Sequence, residues 1–209
     1  MLSEPSIRPK PWVVNVGLPR TGTTSFTRAA ALLGLRSLHI WDAAERDPDL
    51  LRAVRQNTAA PRRFLSEFHA LADTPFYALR DAFEAHHPET RLLYTTRPRE
   101  EWVESMIRHG RAGGEFLARL YGLRGIPWRE ADRPALRATF DQHHETVCHE
   151  LPAIDLAGPD DGERWRVFYS CLPDSETHFE QVRELAWPHE NRESDRRDRS
   201  EPKSSHQCF

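Results

Sequence analysis

One stretch constrains this chain more than any other: Val16-Gly17-Leu18-Pro19-Arg20-Thr21-Gly22-Thr23-Thr24-Ser25. It follows the apolar run Trp12-Val13-Val14-Asn15-Val16. It also opens a run from Ser25 to Leu33 with helical character, which Gly34 can close. A strand, a turn with a glycine at each end and a helix N-terminus make an anion cradle. Backbone N–H groups converge on the bound group, and the helix dipole adds partial positive charge. The expected ligand therefore carries a phosphate-like or sulfate-like group. A nucleoside-triphosphate loop reads GxxxxGK followed by Ser or Thr, and its lysine reaches the β/γ-phosphates. The Gly17 to Gly22 spacing fits that pattern, but Thr23 stands where the lysine belongs. The two lysines of the chain, Lys10 and Lys203, lie near its ends. Arg20 is the cation inside the loop, and its planar fork suits a multi-oxygen anion.

Pro19, Arg20, Thr21, Gly22, Thr23 and Thr24 resemble the 5′-phosphosulfate loop of sulfotransferases, which reads Pro-Lys/Arg-Ser/Thr-Gly-Thr-Thr. A second block supports the resemblance. Arg91-Leu92-Leu93-Tyr94-Thr95-Thr96 reads as a strand, Arg97-Pro98 follows it, and a helix begins near Arg99. Proline suits a helix start, where a missing N–H costs nothing. Sulfotransferases carry an Arg at this strand end and a Ser eight positions later, here Arg97 and Ser105, and that pair binds the 3′-phosphate of the donor. A third block looks like a small soluble branch of the family: Asp73-Thr74-Pro75-Phe76-Tyr77, Leu79 and His87-Pro88. Its closing segment is matched by Asp155-Leu156-Ala157-Gly158, Trp165, Cys171-Leu172-Pro173 and Trp187-Pro188-His189-Glu190-Asn191. The resemblance spans roughly positions 12 to 192.

It implies an α/β chain with a three-layer P-loop-NTPase-like fold, a parallel sheet flanked by helices. It also implies the donor 3′-phosphoadenosine 5′-phosphosulfate, the product 3′,5′-phosphoadenosine and no metal. The expected donor-binding residues are Pro19, Arg20, Thr21, Gly22, Thr23, Thr24, Ser25, Arg97 and Ser105. Arg20 and the loop N–H groups are expected to neutralise charge on the leaving phosphate, with hydroxyls of Thr23 and Thr24 as added donors. Two family features are missing. Ser25 stands where cytosolic sulfotransferases place an adenine-stacking Trp, and no closing R-K-G-x-x-G segment is present. Arg192, Arg196 and Arg197 are the candidates to replace that clamp.

An acceptor hydroxyl needs a base. The family uses a His in a K-T-H-x-P stretch, and Asp73 falls at that His position here. Burial after an apolar strand is expected to raise the Asp73 pKa toward a useful value. The alternative is an Asp that caps the helix near Phe76. His39, at the end of the second strand, is the other catalytic candidate, beside a reading as a packed histidine. His86-His87 and His143-His144 are adjacent pairs that point apart on a helix, and read as solvated residues. Acceptor recognition is expected between Gly110 and Glu150, from Arg111, Phe116, Tyr121, Trp128 and Phe140, with Gly113-Gly114 and Gly122 to Gly125 as lid hinges. Simple packing of those aromatics is the competing account.

Strands are expected at 12–16, 36–40, 69–73, 91–96 and 153–157. Helices are expected at 23–33, 47–56, 61–68, 76–86, 99–109, 112–121, 132–150, 161–171 and 175–184. Such alternation gives a parallel sheet with helices on both faces, and ligands beyond the carboxyl ends of its strands. Residues 1–11 form an extension, 12–190 the domain, about 110–150 its helical acceptor or lid region, and 191–209 a charged disordered tail. A net charge of −3 over 209 residues gives no field favouring nucleic acid or an anionic membrane. Cys148, Cys171 and Cys208 lack metal-ligand spacing and suit a reduced compartment. No apolar stretch reaches the ~18 residues of a membrane span, so the expected location is cytoplasmic. The expected partner is a small-molecule acceptor, without nucleic acid or membrane, and a homodimer is the assembly to test. Two other classes remain open: a P-loop kinase or NTPase, and a non-catalytic binding protein of the same fold.

Overall fold

The computed structural model describes residues 9–41, 47–109, 128–173 and 184–189. Among these, five strands form one sheet: β1 (Val13–Asn15), β2 (Ser37–His39), β3 (Ala70–Ala72), β4 (Arg91–Thr96) and β5 (Ala153–Asp155), in the order β2-β3-β1-β4-β5. Every pairing is parallel. Successive side chains of a strand point to opposite faces, and both faces of this sheet are covered. Val13, Ala70, Ala72, Leu93 and Ile154 pack on one side against Phe26, Ala29, Trp165, Phe168 and Trp187. Val14, Leu71, Leu92 and Tyr94 pack on the other against Val54, Leu65, Phe76, Leu79 and Phe83. That burial explains why the strands read as apolar runs rather than as alternating patterns. The chain has the expected three-layer α/β architecture.

The helices are α1 (Thr23–Leu32), α2 (Pro48–Arg55), α3 (Ala59–Leu65), α4 (Arg80–His86), α5 (Arg99–His109), α6 (Arg133–Val147) and α7 (Asp161–Ser170). Three differ from the sequence expectation. The helix expected at 61–68 starts at Ala59, because Pro61 is tolerated anywhere in a first turn and need not open it. The one expected at 76–86 begins as a 3-10 turn, Phe76–Leu79, and becomes α-helical at Arg80. The one expected at 132–150 is preceded by a 3-10 turn at Glu130–Asp132, which Asp132 closes by accepting the Arg129 N–H at 2.7 Å. The helix expected at 112–121, nearly all of that at 175–184, the glycine hinges, Arg111, Phe116, Tyr121, the arginines at 192–197 and the tail lie outside the described residues. Trp128 and Phe140 are core, packed with Leu18, Trp102, Val103, Met106 and Leu136 between α5 and α6. No helix among the described residues is long and apolar enough to cross a membrane.

The chain leaves β1 toward β2 on one side of the sheet. It later crosses from β3 over β1 to β4 on the other. Loops at the carboxyl ends of β1, β3 and β4 therefore meet along one edge, where such sheets bind ligands.

Candidate active site

Residues 16–22 turn from β1 into α1, and β4 holds them from the side. Asn15 is a buried amide in an apolar strand, so it must be hydrogen-bonded. Its Oδ1 accepts the N–H of Gly17 at 2.8 Å and that of Thr95 at 3.1 Å, and its Nδ2 donates to Thr95 Oγ1 at 3.0 Å. Thr21 Oγ1 donates to the Leu18 carbonyl at 2.6 Å and lies 2.9 Å from Thr95 Oγ1. The indole of Trp102, on α5, donates to the Pro19 carbonyl at 2.8 Å. Both glycines are steric requirements. A Cβ on Gly17 would sit 2.6 Å from the Thr95 carbonyl oxygen. One on Gly22 would sit 2.0 Å from Leu156 Cδ1, at a φ of 108°. Leu156 is held from below by Arg164, a buried guanidinium whose Nε donates to the Asp155 carbonyl at 2.9 Å and whose Nη2 donates to the Gly158 carbonyl.

The end of α1 facing this loop differs from the starts of α2 and α7. Asp47 caps α2 and Asp160 caps α7 through side-chain oxygens, and both helices carry acidic residues in their first turns. α1 has left-handed Gly22 as its N-cap, no side-chain cap hydrogen bond and no acidic residue in its first turn. Gly22 therefore supplies none of the side-chain oxygens that cap α2 and α7, and no carboxylate of the first turn offsets the dipole of α1.

Two arginines stand at this edge of the sheet, one in the loop after β1 and one just past the end of β4. Arg20 has a φ of 70°, and its Nε donates to Ser105 Oγ at 3.2 Å. The left-handed region is unfavourable for a side chain with a Cβ, by roughly 1–2 kcal/mol. Arg97, at the end of β4, has a buried Nε with no acceptor among the described residues. Burial pushes its guanidinium pKa down, Arg108 adds to that, and Glu101 opposes it. A desolvated guanidinium nitrogen without a partner is costly, and an anion would satisfy it. Arg97→Met is expected to weaken 3′,5′-phosphoadenosine binding about tenfold to a hundredfold, from a charge-assisted contact of about 1.5–3 kcal/mol. The apo protein should melt no lower, since an uncompensated charge leaves with the side chain. Calorimetry and thermal denaturation of one preparation check both parts.

On the β2–β3 side, the register pairs His39 with Ala72, which brings His39 alongside Asp73. His39 Nε2 lies 3.0 Å from Asp73 Oδ2, 3.1 Å from Thr23 Oγ1 and 3.3 Å from Thr24 Oγ1. Thr23 Oγ1 donates to Asp73 Oδ2 at 3.0 Å. Asp73 Oδ1 accepts the Thr74 N–H at 2.7 Å and the Thr74 hydroxyl at 3.1 Å. Asp73 therefore does not cap the following 3-10 turn, which has no side-chain cap. Its pKa also runs opposite to the sequence expectation. Burial does raise it, but the His39 hydrogen bond and charge, then Thr23 and Thr74, outweigh burial and leave it below its ordinary value. The carboxylate stays ionised.

The loop residues thus divide. Arg20, Ser105 and the uncapped N–H groups gather on the β4 side. Thr21 and Thr23 direct their hydroxyl protons into the protein, and the Thr21 N–H also donates inward, to the Leu18 carbonyl at 3.2 Å. Pro19 offers only the carbonyl taken by Trp102, and Ser25 is buried in the first turn of α1. Sequence reasoning missed Asn15, Thr95, Trp102 and Arg164 as the residues that fix the loop. A lone amide in an apolar strand was the available signal for the first.

His143 also departs from expectation. Instead of being solvated, its ring lies against the Val16 backbone, where β1 enters the loop, and burial, then His144, push its pKa down to about 4. A histidine with a folded pKa below its unfolded value leaves the unfolded chain with more bound protons between the two. Stability is then lost as pH falls from about 6.5 toward 4, by a total of roughly 3 kcal/mol. His143→Gln should flatten that part of a melting-temperature profile; an unchanged slope would contradict the assignment.

A family model described as a sulfotransferase domain matches residues 12–189. Among curated proteins, Ava biosynthesis cluster protein M of Aspergillus versicolor is 25% identical over 175 residues, covering 67% of this chain and 67% of the relative.

Proposed function

Because this chain belongs to the sulfotransferase domain family, we propose that it moves a sulfuryl group from 3′-phosphoadenosine 5′-phosphosulfate to a hydroxyl or amine of a small-molecule or sugar acceptor. The start of α1, without a side-chain cap from Gly22, carries this reading together with Arg20 in its loop and, just past the end of β4, an Arg97 Nε that has no acceptor among the described residues. It offers two anion seats on one sheet edge. The loop N–H groups and Arg20 would take the 5′-phosphosulfate, and Arg97 with Ser105 the 3′-phosphate. Thr23 in place of the usual lysine weighs against a nucleoside-triphosphate enzyme. The relative's name refers to a biosynthesis cluster, which favours a small-molecule acceptor.

When bound, the donor supplies the sulfuryl group. Its sulfur bonds to the acceptor oxygen or nitrogen, the bond to the 5′-phosphate oxygen breaks, and the acceptor proton is left for a base. Arg20 and the α1 N–H groups stabilise the charge left on the phosphate, as preorganised donors that need no rearrangement. His39 takes the proton and later releases it to solvent. Its side chain is 26% exposed, against 10% for Asp73. Asp73 has its lone pairs engaged by Thr23, Thr74 and His39 and is held ionised, so it orients the imidazole and offsets the positive charge formed on it.

Calorimetry with 3′,5′-phosphoadenosine and with magnesium-ATP, then a radiolabelled-sulfate screen over phenols, alcohols, sugars and amines, tests the reading. Bisphosphate binding with label transfer supports it. Magnesium-ATP binding alone points to a kinase-like protein, and bisphosphate binding with no transfer to any acceptor points to a non-catalytic relative.

A further inference from the structure

Thr23 belongs to two sites at once. Its main chain opens α1 and contributes an N–H to the anion cradle. Its side chain, 2% exposed, faces away from that cradle toward the acceptor side, donating to Asp73 Oδ2 at 3.0 Å and lying 3.1 Å from His39 Nε2. A hydroxyl has one proton to give, and here it points at the carboxylate. Asp73 has a φ of 75°, a left-handed backbone that costs a non-glycine residue of order 1–3 kcal/mol and persists only where the surroundings over-determine it. Thr23, His39 and Thr74 supply that determination.

We propose that Thr23 is a positioning residue that mechanically joins the donor loop to the His39–Asp73 pair, so that filling the loop sets the imidazole in line with the bond to be broken. This rests on the sulfuryl-transfer reading above. The bond from Asp73 to Thr23 spans β3 and the start of α1. A shift of the loop therefore has a direct polar route to the acceptor side through this hydroxyl, beside the packing of α1 on β2 and β3. Thr24 Oγ1, 3.3 Å from the same imidazole nitrogen, is the longer second contact.

The test uses the full chain with 3′,5′-phosphoadenosine as the probe, and compares Thr23→Val, Thr23→Ala and Thr23→Ser with the parent. Two quantities are read: the dissociation constant by calorimetry, and the shift of the His39 ring signals in NMR spectra on adding the nucleotide. Expected is a dissociation constant within about twofold of the parent in all three variants, because backbone N–H groups survive the changes. The His39 response should be lost in the valine and alanine variants and restored in the serine variant. With an acceptor from the screen, kcat should fall about tenfold to a hundredfold in the first two, the scale of a small misplacement of reacting groups, with the donor KM little changed. Should valine fail to fold, alanine, a strong helix former at this first helical position, carries the comparison. Affinity that falls in step with turnover would make the hydroxyl a phosphate ligand and overturn the proposal. So would a full His39 response without the hydroxyl. A parent protein that ignores the nucleotide overturns the transfer reading itself, and the proposal with it.

Discussion

Replacing Gly17 with alanine is expected to abolish 3′,5′-phosphoadenosine binding and lower the melting temperature together. The added methyl would lie 2.6 Å from the carbonyl oxygen of Thr95, 2.7 Å from its Oγ1 and 2.8 Å from its nitrogen. None of these is the tip of a flexible chain. Two belong to the backbone of β4, and the third is the hydroxyl around which Asn15 and Thr21 are arranged. Relief requires β1 and β4 to separate where they pair, which breaks the Asn15 bonds that set the loop. Overpacking of this kind costs about 1–3 kcal/mol, and each buried polar group left unpaired adds about 1–3 kcal/mol. Calorimetry and a denaturation curve measure both effects. A Gly17→Ala protein that binds the nucleotide like its parent would remove this loop from the site.

His39→Ala is expected to lower transfer by about 10²–10⁴-fold, the contribution of a positioned general base, while leaving bisphosphate affinity intact. Among the described residues the imidazole meets the donor loop through the hydroxyls of Thr23 and Thr24, so the anion seats should survive its loss. Added imidazole should restore part of the rate, which a purely structural role would not allow. Asp73→Asn should also slow transfer but resist that rescue, because the orienting charge rather than the base is gone. A His39→Ala protein with parental turnover would return the role to Asp73.

The sheet was legible because buried parallel strands appear as short apolar runs bounded by polar turns, and the run at 91–96 matches β4 to the residue. The loop was legible from its glycine spacing. The contact between His39 and Asp73 was not, although both residues were singled out. They lie 34 positions apart, and their meeting depends on β2 lying next to β3 in a particular register, which no local pattern encodes. For the same reason Thr23 read as a ligand contact, since its loop position gives no hint of a carboxylate arriving from β3. The direction of the Asp73 pKa followed from that missing neighbour: burial was foreseeable, whereas the histidine that overrides it was not. Trp102 lies between Arg97 and Ser105 in the sequence, yet its indole reaching the Pro19 carbonyl depends on how α5 leans over the turn.

The bare start of α1 has a consequence for the lifetime of the protein. A bound nucleotide would act as the missing terminus of that helix, a guest completing a piece of secondary structure that the polypeptide leaves unfinished. Amide hydrogens of the first turn should then exchange quickly in the empty protein and slowly in the loaded one. At a hundredfold excess over its dissociation constant such a guest adds about 2.7 kcal/mol of resistance to unfolding.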